Sequence, residues 1–199
     1  MGVDARTTKG VWSVSKRAAV KGNNITQRER NERDYYPTPI EAVAPLIPHL
    51  PETGVFMEPC AGDGRLARHI EQLTEMQVWA RGLLDIEPQH PSVTRFDALT
   101  LSPWHMIGVD FLVTNPPFAW DTLKPMLETF LDLRPTFLLL PFSYACNKRM
   151  APYMERCKKV IPIGRVKWIE GSKQSSTDDF AWFMFDGEMR GYTKLYPRV

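Results

Sequence analysis

The chain has 199 residues, of which 43% are hydrophobic and 24% are charged, and its formal net charge is +2. This length suits one domain with a buried core, and the proportions are those of a soluble globular protein, not of a disordered or fibrous one. The three cysteines form no CxxC pair or Cys/His cluster, which argues against a disulfide scaffold and a metal site, and no apolar stretch is long enough to span a bilayer. We therefore expect a soluble protein of a reducing cytoplasm.

The first 33 residues are more basic than the rest of the chain. They contain eight Lys or Arg against three Asp or Glu, a net charge of +5, and show no sustained hydrophobic period. We expect residues 1–33 to be a mobile head, either a solvated tail or an electrostatic arm for nucleic acid. Residues 34–199 are expected to form a single domain.

A helix start follows this head. Thr38 can cap the helix, Pro39 suits its first position, and Glu41 completes a Thr-x-x-Glu capping box. Pro45 is expected to bend or shorten the helix. Its apolar stripe at helical spacing consists of Ile40, Val43, Ala44 and Ile47.

Strand and helix signals then alternate along the chain. Short apolar segments predict seven strands, at residues 54–58, 78–86, 93–99, 108–114, 136–142, 160–170 and 179–186. Amphipathic segments predict helices at residues 62–73, 119–133 and 143–157. This alternation predicts an α/β fold with a mostly parallel seven-stranded sheet, helices on both faces and a C-terminal antiparallel hairpin. In such sheets ligands bind at the carboxyl ends of the strands, so the residues that follow the strands are the candidate site.

The stretch "MEPCAGDGRLA" follows the first strand. Gly62 and Gly64 allow a sharp turn and a close approach of the backbone to a ligand, and the next helix presents free N–H groups there. A Gly-x-Gly turn can also be a simple strand-to-helix connection. Glu58 and Asp63 would repel a pyrophosphate, so this loop favours a ligand with a positive group, such as an amine or a sulfonium.

Acids also follow the second and third strands. Asp85 lies where a carboxylate can accept hydrogen bonds from both hydroxyls of a ribose, and Glu87 is an alternative for that role. Asp97 is placed to accept from the exocyclic amine of an adenine ring. Each acid by itself could be a loop cap or a solvated charge, but the three strand ends together with the glycine loop indicate a nucleoside site.

The fourth strand ends in "TNPPF", which two prolines make rigid. The side-chain oxygen of Asn115 and the carbonyl of Pro116 can accept both N–H bonds of a planar amine, and Phe118 can stack on its ring. The alternative is a strand-exit turn with Phe118 in the core. Trp120 could equally be a wall of the base pocket or a core residue.

The stretches "EPCAGDGRLA", "LLDIEP", "FDAL" and "TNPPF", in this order, resemble the successive motifs of class I S-adenosylmethionine-dependent methyltransferases, which have a Rossmann-like fold. With "DYYPTP" ahead of the glycine loop, residues 34–186 resemble phage-type DNA adenine-N6 methyltransferases more closely. The resemblance implies S-adenosyl-L-methionine as cofactor and DNA as partner, in the cytoplasm of a bacterial host if the protein is phage-encoded.

The resemblance also implies roles for individual residues. The implied catalytic residues are Asn115, Pro116, Pro117 and Phe118. The implied cofactor-binding residues are Tyr36, Pro37, Thr38, Pro39, Glu58, Cys60, Ala61, Gly62, Asp63, Gly64, Asp85, Ile86, Asp97, Ala98 and Asn115. The same Asn-Pro-Pro-Phe pattern occurs in enzymes that methylate RNA base amines or a protein glutamine amide, so these substrates remain alternatives. A nucleic-acid-binding module without catalysis is a third interpretation.

The loop of the closing hairpin is polar and basic. Lys167, Ser172 and Lys173 suit contacts with phosphates, and Gln174 could bind the edge of a base. The alternative is that this loop is an exposed polar turn without a ligand. A second basic set is expected on a solvated helix face or a phosphate track: Lys148, Arg149, Arg156, Lys158 and Lys159. We expect no separate target-recognition domain. The recognised sequence should then be short or loosely defined, or a partner subunit or second copy should supply the specificity. Monomer and homodimer are both compatible with the sequence.

Overall fold

The structure is a computed structural model that describes residues 35–169, 171, 174–187 and 191–198, without the side chains of Ala80 and Arg81. These residues lie within the compact unit Asn31–Val199. The predicted basic head and two residues of the predicted DNA-binding loop, Ser172 and Lys173, lie outside the described residues.

One sheet organises the described residues. Its strands are β1 (Val55–Glu58), β2 (Gln77–Asp85), β3 (Thr94–Arg95), β4 (Phe111–Thr114), β5 (Thr136–Pro141), β6 (Cys157–Arg165), β7 (Asp179–Phe185) and β8 (Lys194–Leu195). Their order is β3-β2-β1-β4-β5-β7-β6-β8. β7 is antiparallel to β5 and β6, and the other pairs are parallel. The predicted mostly parallel sheet with a terminal hairpin is confirmed, with β8 added beside β6.

The helices are shorter than the sequence predicts. α1 (Ile40–Val43) continues as a tighter 3-10 segment, Ala44–His49, and is followed by α2 (Arg65–Leu73), α3 (Trp120–Phe130) and α4 (Ala151–Met154). The expected helix at 143–157 is mostly short 3-10 turns before α4, and Lys158 and Lys159 belong to β6 instead of a helix face. No helix in the described ranges is long and apolar enough to cross a bilayer.

The start of α1 differs from the prediction. Pro39 occupies the cap position without a side-chain cap, so the expected Thr38–Glu41 capping box is wrong. The Thr38 hydroxyl accepts a hydrogen bond from Asn115 instead. The buried stripe is also displaced, to Ala42, Val43 and Leu46, and Leu46 replaces the predicted Ile47 because the 3-10 segment repeats every three residues. Shortening at Pro45 is confirmed.

Alternating strand residues build a core on each face of the sheet. In β4, Phe111 and Val113 join the cluster under α1 and α2, whereas Leu112 joins the cluster under α3. The fully buried Trp182 donates its indole N–H to the carbonyl of Ala42 at 2.7 Å, which ties α1 to β7. Helices therefore cover both faces, and the carboxyl ends of β1, β2 and β4 remain open at one edge.

Candidate active site

The turn between β1 and α2 depends on two glycines. Gly62 and Gly64 have φ angles of 55° and 76°, in the left-handed region that side chains disfavour. A Cβ at Gly62 would also lie 2.3 Å from the ring atom Cε2 of Tyr35. The N–H of Gly62 donates to the Asp85 carboxylate at 2.8 Å, so the glycine loop is held against the end of β2.

A cavity of about 410 Å³ lies where β1, β2 and β4 end. We call it the acidic cavity, because its lining contains five carboxylates and, among the described residues, no Lys, Arg or His. Those carboxylates belong to Glu58, Asp63, Asp85, Glu87 and Asp97. A site with this charge favours a cationic ligand over a phosphate.

Most of the sequence-predicted residues meet at the acidic cavity. These are Tyr36, Pro37, Thr38, Glu58, Cys60, Ala61, Gly62, Asp63, Asp85, Ile86, Asp97, Ala98, Asn115 and Pro117. Gly64 shapes the loop, Pro39 lies next to the cavity, and neither lines it. Sequence reasoning missed eight further lining residues: Tyr35, Pro59, Leu66, Gln89, Leu99, Ala119, Thr122 and Met126. Four of them lie in stretches quoted above, Tyr35 in "DYYPTP", Pro59 and Leu66 in "EPCAGDGRLA", and Leu99 at the end of "FDAL".

Backbone N–H groups already hold two of the strand-end acids. The two oxygens of Asp85 accept from Gly62 and from Glu87, the latter at 2.7 Å. Asp97 accepts from the N–H of Leu99 at 3.0 Å and so caps the turn that follows. Each carboxylate oxygen has two lone pairs, so both acids can still accept from a ligand.

Two apolar side chains of the acidic cavity are exposed. Ile86 is 51% exposed and Leu99 is 40% exposed, although both are large and hydrophobic. They follow the two acids Asp85 and Asp97 closely in the chain. Exposed apolar groups beside fixed acceptors are typical of a pocket for a flat heterocycle.

Burial controls the protonation of two groups behind the glycine loop. Burial, reinforced by Asp63 and Asp85, raises the pKa of Glu58 well above its usual value, and the N–H of Ala67 opposes this by donating to it at 3.1 Å. Burial also raises the pKa of the Cys60 thiol, which donates to the sulfur of Met126. Cys60 therefore stays a thiol at neutral pH and cannot act as a thiolate nucleophile.

Tyr35 covers the glycine loop from the amino-terminal side. Its hydroxyl hydrogen-bonds to Asp63, and burial together with this acid raises the pKa of Tyr35 to about 12. It therefore remains a neutral donor at physiological pH. No local pattern distinguished it from Tyr36 in the sequence.

The side chain of Asn115 is held from one end. Its amide nitrogen donates to the carbonyl of Tyr36 and to the hydroxyl of Thr38, both at 3.2 Å. Because a backbone carbonyl can only accept, this contact identifies which end of the amide is nitrogen. The side-chain oxygen is then buried and has no hydrogen-bond partner among the described residues. An unsatisfied buried acceptor costs about 1–3 kcal/mol, and such groups call for a functional explanation.

The aromatic residues after Asn115 lie outside the lining of the acidic cavity. Phe118 is half-buried, packs 5.5 Å from the ring of Phe180, and its carbonyl accepts from the Tyr144 hydroxyl at 2.6 Å. Trp120 begins α3, packs against Tyr153, and has the guanidinium of Arg149 5.9 Å from its ring centroid. Pro116 is buried. Their expected roles in base binding stay predictions.

A second cavity, of about 760 Å³, adjoins the first at Pro37. We call it the basic groove, because five cationic side chains line it and Glu41 is the sole acid among its described lining residues. The cations are Arg65, Arg68, Arg165, Lys167 and Arg198. The predicted residues Pro39 and Lys167 lie here, whereas Gln174 is exposed and lines neither cavity.

The chain has the fold of class I S-adenosylmethionine-dependent methyltransferases. Its defining features are the reversal of strand order between β1 and β4, the single antiparallel strand β7 and the glycine loop after β1. No protein-family model matches the chain, and no curated protein matches it significantly.

Solved structures with this fold include a restriction endonuclease and a subunit of a restriction-modification system. The type IIG restriction endonuclease BpuSI is 19% identical with a TM-score of 0.52, over 78% of this chain and 26% of its own. A type I restriction-modification methyltransferase subunit from Streptococcus thermophilus is 10% identical with a TM-score of 0.53, over 77% and 45%. A putative class I methyltransferase from Listeria monocytogenes is 12% identical with a TM-score of 0.51, over 78% and 61%. The chain thus spans less than two thirds of each of these proteins.

Proposed function

We propose that this protein transfers the methyl group of S-adenosyl-L-methionine to the N6 amine of adenine in DNA. The observation that carries the proposal is the side-chain oxygen of Asn115, a buried acceptor without a partner among the described residues, on a residue that lines the acidic cavity. Such an atom fits a substrate that donates an N–H bond.

The acidic cavity has the groups that this cofactor needs. Its carboxylates suit the positive sulfonium and amino groups, Asp85 suits the ribose hydroxyls, and Asp97 suits the adenine amine between Ile86 and Leu99. A Cβ at Gly62 would clash with the ring of Tyr35, so only a glycine lets the loop and Tyr35 lie together at the cavity. When bound, the cofactor supplies an activated methyl group on sulfur.

The chain's own residues orient the amine that is methylated. The Asn115 oxygen and the Pro116 carbonyl would accept its two N–H bonds, which frees the nitrogen lone pair for attack. The contacts of the Asn115 amide with Tyr36 and Thr38 keep this acceptor in place before the substrate arrives. No strong base is required, because the nitrogen becomes acidic once it is methylated.

Adenine in DNA is supported by two features. The "DYYPTP" and "NPPF" stretches resemble those of DNA adenine-N6 methyltransferases. A type IIG restriction endonuclease and a type I restriction-modification methyltransferase subunit are among the structures that share the fold. An RNA base amine and a glutamine amide present the same planar nitrogen, so they are the competing outcomes of the test.

The test is incubation of the full chain with methyl-labelled cofactor and separate pools of DNA, RNA and protein. We expect label in DNA, recovered as N6-methyladenine after digestion to nucleosides. Label that appears in RNA or protein but not in DNA would contradict the proposed substrate.

An Asn115→Ala variant tests the role of this side chain. We expect about 10²–10³-fold slower turnover, with cofactor affinity largely retained. Asn147→Ala is the matched control, because Asn147 caps a turn outside the acidic cavity. Wild-type turnover in Asn115→Ala would exclude the assigned role.

A further inference from the structure

The basic groove is built from segments far apart in the chain. The start of α1, the first turns of α2 and the end of β6 form its walls, and Arg198 contributes from near the C-terminus. Gly164 has a φ of 77° at a bulge where the register between β6 and β7 shifts. A Cβ at Gly164 would lie 2.4 Å from the guanidinium carbon of Arg198, so the position of Arg198 requires a glycine there.

The cations of the basic groove are not equally neutralised. Arg65 and Arg68 lie 3.2 and 3.8 Å from Asp63. In contrast, Arg165, Lys167 and Arg198 have no carboxylate within ion-pair distance in the part of the chain that the structure describes. This surplus positive charge is complementary to an anionic ligand.

His69 adds no charge to this set. Burial, followed by the nearby Arg65 and Arg68, lowers the pKa of His69, so its ring is neutral at physiological pH. The positive charge of the basic groove therefore comes from its Arg and Lys side chains.

A chain of aromatic contacts joins the basic groove to the Asn-Pro-Pro-Phe loop. Trp168, which lines the groove, has its ring centroid 5.9 Å from Tyr36 and 5.1 Å from Phe180. Phe180 in turn contacts Phe118. The surplus cations therefore lie beside the acidic cavity, at the same edge of the sheet.

We propose that the basic groove binds the phosphodiester backbone of DNA beside the target base, with Arg165, Lys167 and Arg198 contacting phosphates. A base that is extruded for methylation stays attached to its backbone, so the flanking phosphates have to lie close to the pocket that receives it. The inference rests on the proposed function for the identity of the ligand, and it adds the surface that holds it.

The test measures binding of a short labelled DNA duplex to the full chain over a salt series, without methyl transfer. We expect Arg165→Gln, Lys167→Gln and Arg198→Gln each to weaken binding about tenfold and to reduce the salt slope by about 0.9 for each lost phosphate contact. Lys124→Gln is the control, because Lys124 lies on α3 outside the groove and pairs with Glu128. Wild-type affinity and slope in all three groove variants would overturn the proposal.

The outcome is distinguishable from that of the proposed function. If the wild-type protein methylates no nucleic acid but the groove variants lose DNA binding, the role of the groove in DNA binding is supported and the proposed function is contradicted. If the wild-type protein methylates DNA but the groove variants bind DNA normally, the proposed function is supported and the role of the groove is contradicted. RNA of the same sequence that competes more tightly through the same three cations would overturn DNA as the ligand.

Gly164→Ala supplies a second test, since it should displace Arg198. We expect it to weaken DNA binding in the wild-type background but to have no further effect in Arg198→Gln. Equal additional losses in both backgrounds would contradict the placement of Arg198 over Gly164. Cofactor binding to each variant checks that the fold is retained.

Discussion

The acidic cavity and the basic groove are neighbours that share Pro37, yet their linings are opposite in charge. The acids of the first lie at the ends of β1 and β2 or in the loops after β1, β2 and β3, whereas the cations of the second come from α2, the end of β6 and the C-terminal segment. Asp63 lies at the boundary, because it lines the acidic cavity and pairs with Arg65 of the basic groove. One edge of the sheet can thus hold a cationic cofactor and a polyanion side by side.

This comparison predicts that each cavity can be disabled without the other. The largest effect is expected for Gly62→Ala, which adds a side chain against Tyr35 at a left-handed φ. We expect loss of measurable cofactor binding in calorimetric titration, with DNA affinity unchanged. Parallel loss of DNA binding in a folded variant would show that the two sites are not independent.

Asp85→Asn should have the next largest effect on the acidic cavity. Removing the charge weakens hydrogen bonds from ribose hydroxyls, and bonds to a charged acceptor contribute about 1.5–3 kcal/mol each. We expect cofactor affinity to fall at least about tenfold, as measured by equilibrium binding. The Glu87→Gln variant decides between the two acids. A larger loss of cofactor affinity in Glu87→Gln than in Asp85→Asn would assign ribose binding to Glu87.

Glu58→Gln should raise the stability of the protein without ligand while weakening cofactor binding. The folded pKa of Glu58 is raised by burial, so the folded state holds its proton more tightly than the unfolded state. Stability from this group is therefore lost as pH rises from the unfolded pKa towards the folded one, and a glutamine has no such loss.

Thermal denaturation at several pH values measures this difference. We expect the Tm advantage of Glu58→Gln to be small in acid and to grow towards neutral pH, by about 2–4 °C for each kcal/mol. An advantage that does not change with pH would contradict the raised pKa.

The smallest predicted effect lies at the boundary. Asp63→Asn removes the charge that neutralises Arg65 and Arg68, so DNA binding should tighten about two- to fivefold while cofactor binding weakens, since a partly exposed ion pair contributes about 0.2–1 kcal/mol. Fluorescence anisotropy with labelled DNA measures the first effect. A variant that binds DNA more weakly would place Asp63 on the DNA side of the boundary.

The sequence by itself determined the sheet and most of the acidic cavity. Alternating strands and helices indicate a parallel sheet, and the carboxyl ends of its strands share an edge. Gly62, Asp85, Asp97 and Asn115 each lie at the end of a strand or within four residues after it, so their meeting at one cavity follows from the order of the elements. Local patterns were sufficient because each of these residues is positioned by its own strand.

Only the tertiary structure decided which contacts override local preferences. Thr38 has the pattern of a helix cap, but its hydroxyl instead accepts from Asn115, a residue brought there by β4. Tyr35 packs over Gly62, and Leu99 lines the acidic cavity, although neither lies in a periodic pattern of apolar residues in the sequence. A hydrogen bond or ring contact between segments distant in sequence leaves no local pattern, so it has to be read from the fold.

The basic groove is the clearest case. Arg65 reads as part of an amphipathic helix, Arg165 as part of a strand and Arg198 as part of a tail, and no motif joins them. They meet because the 3-10 segment Ala44–His49 packs against both α2 and β6, and because Gly164, without a side chain, leaves room for the guanidinium of Arg198. Surface charge is a property of the folded arrangement, since electrostatic fields add through space and not along the chain.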